Sequence, residues 1–127
     1  PITVFGDGSQ IRAFTHVLDL VESLIQIMDS GVNSKIYNVG TPENTCTIGD
    51  LAKLIVKTLD SKSEIHFVDP KVEFGKLYTN APSKIPTIDL IAREIGWNPK
   101  WSLSGIILDT ANSVKSAIVY EPAEAVA

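Results

Sequence analysis

The stretch Val4–Leu20, VFGDGSQIRAFTHVLDL, decides how this chain is read. On its left, Ile2–Phe5 is β-branched and aromatic and is halted by the turn residues GDGSQ, which predicts a short strand and a tight loop. Arg12–His16 predicts a second short extended piece. From Val17 onward apolar residues fall at Val17, Leu20, Val21, Leu24, Ile25 and Met28. That is the i, i+3, i+4 stripe of an amphipathic helix, ending near Asp29-Ser30-Gly31. Arg12 stands between loop and helix in a chain of only 11 basic residues. Its charge either pairs with a carboxylate of the same fold, Asp7 or Asp19, or receives an anion from outside. A flat guanidinium fork suits phosphate better than a lysine does, and the residues alone leave both readings open.

Further along, Ile36–Val39 predicts a strand closed by Gly40, and TPENTCT (Thr41–Thr47) a loop. Thr47 is a fitting N-cap, with Asp50 three residues on, for a helix whose inner face is Leu51, Ala52, Leu54, Ile55 and Leu59. Glu64–Val68 predicts a third strand. Asp69–Pro86 has three prolines and no period, so it reads as a long loop of the kind that carries function. A short helix over Thr87–Ile95 stops at Gly96, and WNPKWS is an aromatic-proline turn. Ser102 then caps a last helix to about Ser116, with Leu103, Ile106, Ile107, Thr110 and Val114 inward. YEPAEAVA reads as a frayed tail. Strands alternating with helices, with no internal repeat, make the chain α/β.

The composition narrows the function classes. At 127 residues, 44% hydrophobic, the chain is one globular domain able to bury a core. No apolar run approaches the roughly 18 residues that cross a bilayer, so no membrane partner is expected. A net charge of −4 without a basic cluster disfavours nucleic acid. The one cysteine, Cys46, has no disulfide partner and fits a reducing, cytoplasmic setting. The chain opens at Pro1 directly into a strand, which leads us to expect a piece of a longer protein.

Familiar catalytic devices are missing. Gly6 and Gly8 give G-x-G, but Ile11 stands where a dinucleotide fingerprint needs its third glycine, so a tight turn is the better reading. No Walker motif occurs. His16 lies near Asp19 without a serine elbow and reads as a half-buried residue at the end of a strand; His66 alternates with Ile65 and Phe67 and reads as solvated. Two such distant histidines make no metal site.

Taken in order, PITVFGDGSQIRAFTHVLDLVESLIQIM, IYNVGTPENTCTIGDLAKLI and KIPTIDLIAREIGWNPKWSLSGI resemble the C-terminal part of the NAD-dependent epimerase/dehydratase family, the extended short-chain dehydrogenases/reductases. The resemblance runs from Pro1 to about Val114. EFGKLYTNAPSKIP (Glu73–Pro86) is most similar to the branch of UDP-glucuronic acid decarboxylases and UDP-apiose/UDP-xylose synthases. The resemblance implies a small lobe that binds a nucleotide-diphosphate sugar (a UDP-sugar in that branch) over residues 1–116, followed by a flexible tail over 117–127. It implies that Thr3, Phe5 and Gln10 line the nucleotide side, that Arg12 contacts phosphate, and that Tyr78 and Lys84 close over the ligand, with Lys84 a candidate proton donor. Lys84 replaces the arginine usual there, keeping the charge but losing the two-pronged geometry. Thr87 stands where Pro-Asp is common. Asn38, Gly40, Trp97 and Pro99 match structural positions of the family.

The family's Tyr-x-x-x-Lys pair and glycine-rich dinucleotide loop have no counterpart in these residues. The resemblance therefore places NAD on a Rossmann domain that this chain lacks, which leaves the chain alone without the family's reaction. The rival expectations are a non-catalytic binding or regulatory module of the same fold, or an inactive remnant of it. A lobe separated from such a neighbour is expected to expose an apolar patch at the Ile2–Phe5 edge or along the first helix.

Overall fold

The local signals set most of the helix starts. His16 caps α1 (Val17–Asp29), its ring accepting the Leu18 amide. The Thr47 hydroxyl accepts the Asp50 amide and caps α2 (Ile48–Thr58) as the Thr-x-x-Asp spacing predicts. Gly96, in the left-handed region, stops α4 (Asp89–Ile95). The Ser102 side chain accepts the Gly105 amide at the start of α5 (Leu103–Val119). The computed structural model describes residues 1–119. The last helix therefore extends beyond the expected Ser116, and the remainder of the expected tail, 120–127, lies outside the described residues.

Among the described residues, five short strands make two small sheets. β1 (Ile2–Phe5) runs parallel to β4 (Ile65–Val68). β2 (Ile11–Ala13) lies between β3 (Thr45–Thr47), antiparallel, and β5 (Ser83–Lys84), parallel. Two stretches expected to be loops thus contain strands: β3 follows a 3₁₀ turn at Pro42–Asn44, and β5 sits in the proline-containing stretch. That stretch also holds a one-turn helix, α3 (Pro70–Phe74), capped by Asp69 with Pro70 in the first helical position. β3 and β5 are fixed by their partner β2 rather than by propensity, which is why no local pattern announced them, while the extended piece expected at Arg12–His16 is β2, shifted to Ile11–Ala13.

Ile36–Val39 forms no strand. The stretch has no regular secondary structure and pairs with nothing among the described residues, and Ile36 is 91% exposed. Its β-branched composition meets no ladder to join. Lys35 and Tyr37 instead tether it to α4, both donating to Glu94 Oε2, at 2.7 and 2.8 Å. At its end, a Cβ on Gly40 would overlap the Pro86 ring, so only glycine allows this approach.

The core centres on Ile88, Ile91 and Trp97, with Ile27, Tyr37, Val39 and Ile95 packed around them. A fully buried isoleucine such as Ile91 contributes about 2–3 kcal/mol. The apolar stripe of α1 lies elsewhere. Leu20, Val21, Leu24 and Ile25 are all exposed and Met28 is 80% exposed, while the buried residues of α1 are Asp19 and Ser23. Asp19, 1% exposed, accepts the amides of Lys100 and Trp101 and so anchors the WNPKW turn. The expected patch along the first helix is present. At the last helix, Ile107 is buried and Leu103 and Ile106 are half-buried, but Thr110 and Val114 face solvent rather than inward. His16 is more buried than expected: it stacks on Trp101, and with its Nδ1 accepting from Leu18, its Nε2 donates to Asp109 at 3.0 Å. His66 is exposed, as expected.

Gly8, at φ +74°, has its Cβ position within 3.0 Å of both Gly49 Cα and the Phe67 ring. This crossing brings the turn after β1 onto the start of α2, where the Gly49 amide donates to the Gly8 carbonyl at 2.9 Å. A side chain at Gly8 would push this turn away from Gly49 at the start of α2 and from the Phe67 ring of β4.

Candidate functional site

Arg12 sits at the middle of β2, with Cys46 of β3 as its register partner on one side and Lys84 of β5 on the other. Its guanidinium donates to the Ile11 carbonyl at 2.6 Å, to Asn80 Oδ1 at 2.6 Å and to the Ala81 carbonyl at 3.0 Å. All three acceptors are neutral. Neither expected carboxylate reaches it: Asp7 folds back on the Ser9 amide and hydroxyl, and Asp19 is committed to the WNPKW turn. The Ser9 hydrogen bonds, the side-chain one foremost, hold the Asp7 carboxyl below its ordinary range. Among the described residues Arg12 has no internal ion pair, so its charge is oriented but not neutralised.

Lys84 sharpens the point. Like charges directly across neighbouring strands repel, yet Arg12 and Lys84 occupy such a pair. A dianion seated over both would remove that repulsion and gain charge-assisted hydrogen bonds.

Tyr78 and Asn80 come from the stretch between α3 and β5. The Asn80 amide donates to Gln10 Oε1 at 2.6 Å and to the Tyr78 hydroxyl at 3.1 Å. Gln10 Nε2 in turn faces the Phe5 carbonyl at 3.4 Å. Phe5, Phe74 and Tyr78 form an aromatic row, edge-to-face at 4.9 Å and then stacked at 5.2 Å. Of the six residues that sequence reasoning singled out, the structure ties Phe5, Gln10, Arg12 and Tyr78 into one network through Asn80, and Lys84 joins by strand pairing. Thr3 lies apart from the network, on β1. With Phe5 it lines a cleft of about 550 Å³ that is closed by Val68, Asp69, Val72 and Glu73. Asn80 was missed. Nothing in a neutral amide within a loop marks it beforehand.

One edge of β1 is open. Ile2 and Gly6 donate their amides toward β4, and by strand alternation the amides of Thr3 and Phe5 point the other way. No strand among the described residues lies on that side.

The chain's own residues do not fit a dinucleotide. The glycine turn leads into β2 rather than a helix, so no helix N-terminus faces a pyrophosphate there, and the space beyond Gly8 is filled by Gly49 and Phe67. Cys46 is no activated nucleophile: burial, reinforced by nearby Asp50, pushes its thiol up. Among the described residues no group of three metal-ligating side chains occurs, and no helix is long and apolar enough to cross a membrane.

Residues 1–40 match the family model described as the NAD dependent epimerase/dehydratase family. UDP-glucuronic acid decarboxylase 2 of Arabidopsis thaliana is 37% identical over 103 residues, which cover 81% of this chain and 21% of that protein. The chain is a relative of the NAD-dependent epimerase/dehydratase family. UDP-D-apiose/UDP-D-xylose synthase 2 of the same plant is 28% identical over 119 residues, covering 87% of this chain and 31% of that one. Among solved structures, a UDP-glucose 4-epimerase from Thermotoga maritima with UDP-glucose superposes with a TM-score of 0.79 at 24% identity, over 92% of this chain and 35% of its own. The UDP-glucuronic acid 4-epimerase from Bacillus cereus, in complex with UDP-glucuronic acid and NAD, gives 0.79 at 20% identity, over 92% of this chain and 36% of its own. At these identities the structures show the shared fold. The chain spans under a third of the length of the curated relatives it matches.

Proposed function

We propose that this chain is the nucleotide-diphosphate-binding lobe of an NAD-dependent nucleotide-sugar-modifying enzyme, an epimerase, dehydratase or decarboxylase. The observation that carries the reading is Arg12: half-buried, held by neutral oxygens, free of any carboxylate among the described residues, and in register with a second cation, Lys84. The diphosphate sits over this pair. The base lies toward the open edge of β1, where the alternating amide and carbonyl groups of Thr3 and Phe5 complement a pyrimidine that presents an N–H beside a carbonyl. Asp69 and Glu73 across the cleft repel phosphate from that end and fix the direction of the ligand. Tyr78 meets the sugar. Lys84 serves there as a charge and as candidate proton donor.

The redox half of the reaction belongs to NAD held by a separate dinucleotide-binding domain, because the glycine turn of this chain does not accept it. The outward apolar face of α1 and the unpaired Lys35–Val39 stretch are where that domain docks: one offers a helix face, the other a backbone that pairs with nothing among the described residues. Cys46, unpaired, fits a cytoplasmic protein.

Calorimetric titration of UDP and UDP-glucuronic acid into the chain tests the reading. We expect saturable binding that Arg12→Ala weakens at least about tenfold, and no saturable signal with NAD. Equal binding by wild type and Arg12→Ala overturns the proposal in favour of a lobe without this ligand.

A further inference from the structure

No role was assigned to Asn80 from the sequence, yet three side chains of the site meet on it. Its Oδ1 accepts the Arg12 guanidinium at 2.6 Å, and its Nδ2 donates to Gln10 at 2.6 Å and to Tyr78 at 3.1 Å. Both amide protons are used, and the guanidinium, which can only donate, fixes which end of the amide is oxygen. Gln10 is fixed in turn: its oxygen receives Asn80, so its nitrogen faces the Phe5 carbonyl. The hydrogen bonds all run one way, from Arg12 through Asn80 and Gln10 to the backbone of β1. Such a one-directional chain polarises itself, each donor strengthening the next.

We infer that Asn80 is the positioning residue of the anion site, aiming the Arg12 guanidinium while leaving its charge available. The inference rests on the nucleotide-diphosphate reading above. An oxygen at this place is needed to hold the guanidinium still. A carboxylate would do so more strongly, but it would form an ion pair with Arg12 that any incoming phosphate must displace. The amide is the same shape without the charge. The same residue sets the position of the Tyr78 hydroxyl, and through Gln10 it joins the diphosphate end of the ligand site to the β1 end. Exposed as it is, Asn80 contributes little to the core, so its effect falls on the ligand.

The role separates from a merely structural one by comparing two variants. Asn80→Asp keeps the acceptor and adds a charge; Asn80→Ala removes the acceptor and adds none. Inorganic pyrophosphate is titrated into wild type and both variants at low salt, with thermal melting of each to register any loss of folding. We expect Asn80→Ala to weaken binding about threefold and Asn80→Asp at least about tenfold at neutral pH. The charged and titratable groups beside position 80 are Arg12 and Lys84 on the neighbouring strands and the Tyr78 hydroxyl that Asn80 touches. The gap between Asn80→Asp and wild type therefore narrows only as pH falls below the ordinary carboxylate range, because pairing with Arg12 holds the introduced carboxylate ionised to lower pH, while the Asn80→Ala gap stays constant. A structural tether predicts the reverse order, with Asn80→Asp the milder change, and that result or a pH-independent gap overturns the inference alone. No pyrophosphate binding by the wild-type chain overturns the diphosphate reading first and the role of Asn80 with it.

Discussion

α1 and α2 are both amphipathic and both capped, yet they use their apolar faces in opposite ways. Ala52 of α2 is buried and Leu51, Leu54 and Ile55 are half-buried, against β1 and α5; only Leu59, at the end of the face, is exposed. α1 turns a comparable stripe to solvent and seats Asp19 and Ser23 inside. Periodicity reports that a face is built to be covered, and the packing of the rest of the chain decides whether anything here covers it. In α2 the cover is present. In α1 only Ile27 reaches the apolar core, and Asp19 is buried because its partner is the backbone of the WNPKW turn, whose amides need an acceptor more than they need a methyl group.

The largest test of this contrast is Asp19→Ala, which leaves the Lys100 and Trp101 amides without their acceptor. It should cost about 3 kcal/mol in chemical denaturation; a cost near zero would mean that the polar side of α1 does not hold the turn. A matched pair of substitutions comes next. Ile55→Gln on α2 should cost about 1–2 kcal/mol, whereas Leu24→Gln on α1 should stay within about 0.5 kcal/mol and reduce the binding of an apolar dye. Equal costs would erase the distinction between the two helices. The smallest effect is local. Glu94 is held below the ordinary carboxylate range first by the Lys35 side chain and then by the Tyr37 hydroxyl, so its tether is intact above that range and is lost as pH falls through the lowered value. Lys35 is raised by the same contact, so on the alkaline side the tether outlasts the ordinary lysine range and is lost as pH rises through the raised value. Tyr37 resonances should report acid release, and Glu94→Gln should abolish the acid transition; an acid-independent Tyr37 would sever the stretch from α4.

Much of the fold was legible because it is local. The caps at Thr47 and Ser102, the stop at Gly96 and the strands at Ile2–Phe5 and Glu64–Val68 depend on a few adjacent residues. What was not legible depends on partners. Ile36–Val39 has strand composition and no strand beside it, and β3 and β5 exist because β2 lies between them. Asp69-Pro70 did carry a helix-start signal inside the presumed loop, and the lack of any apolar period hid it. At the site, the residues alone left Arg12 between an internal carboxylate and an external anion; the coordinates remove both named carboxylates. Tyr78 and Lys84 entered through resemblance, and the pairing of Arg12 with Lys84 came only from strand register. Asn80 became visible only once three side chains were seen to meet on it.

The close approach of Gly40 to Pro86 has a mechanical meaning. Gly40 ends the unpaired stretch, and Pro86 lies two residues beyond Lys84. A neighbour that draws Lys35–Val39 into its own sheet pulls on a stiff ring rather than on a slack loop, and the displacement arrives at Lys84 with little chain in which to dissipate. Under the proposed function, assembly and ligand grip would in this way be geared together, and the affinity measured for the lobe alone would be the affinity of a hand before the wrist is set.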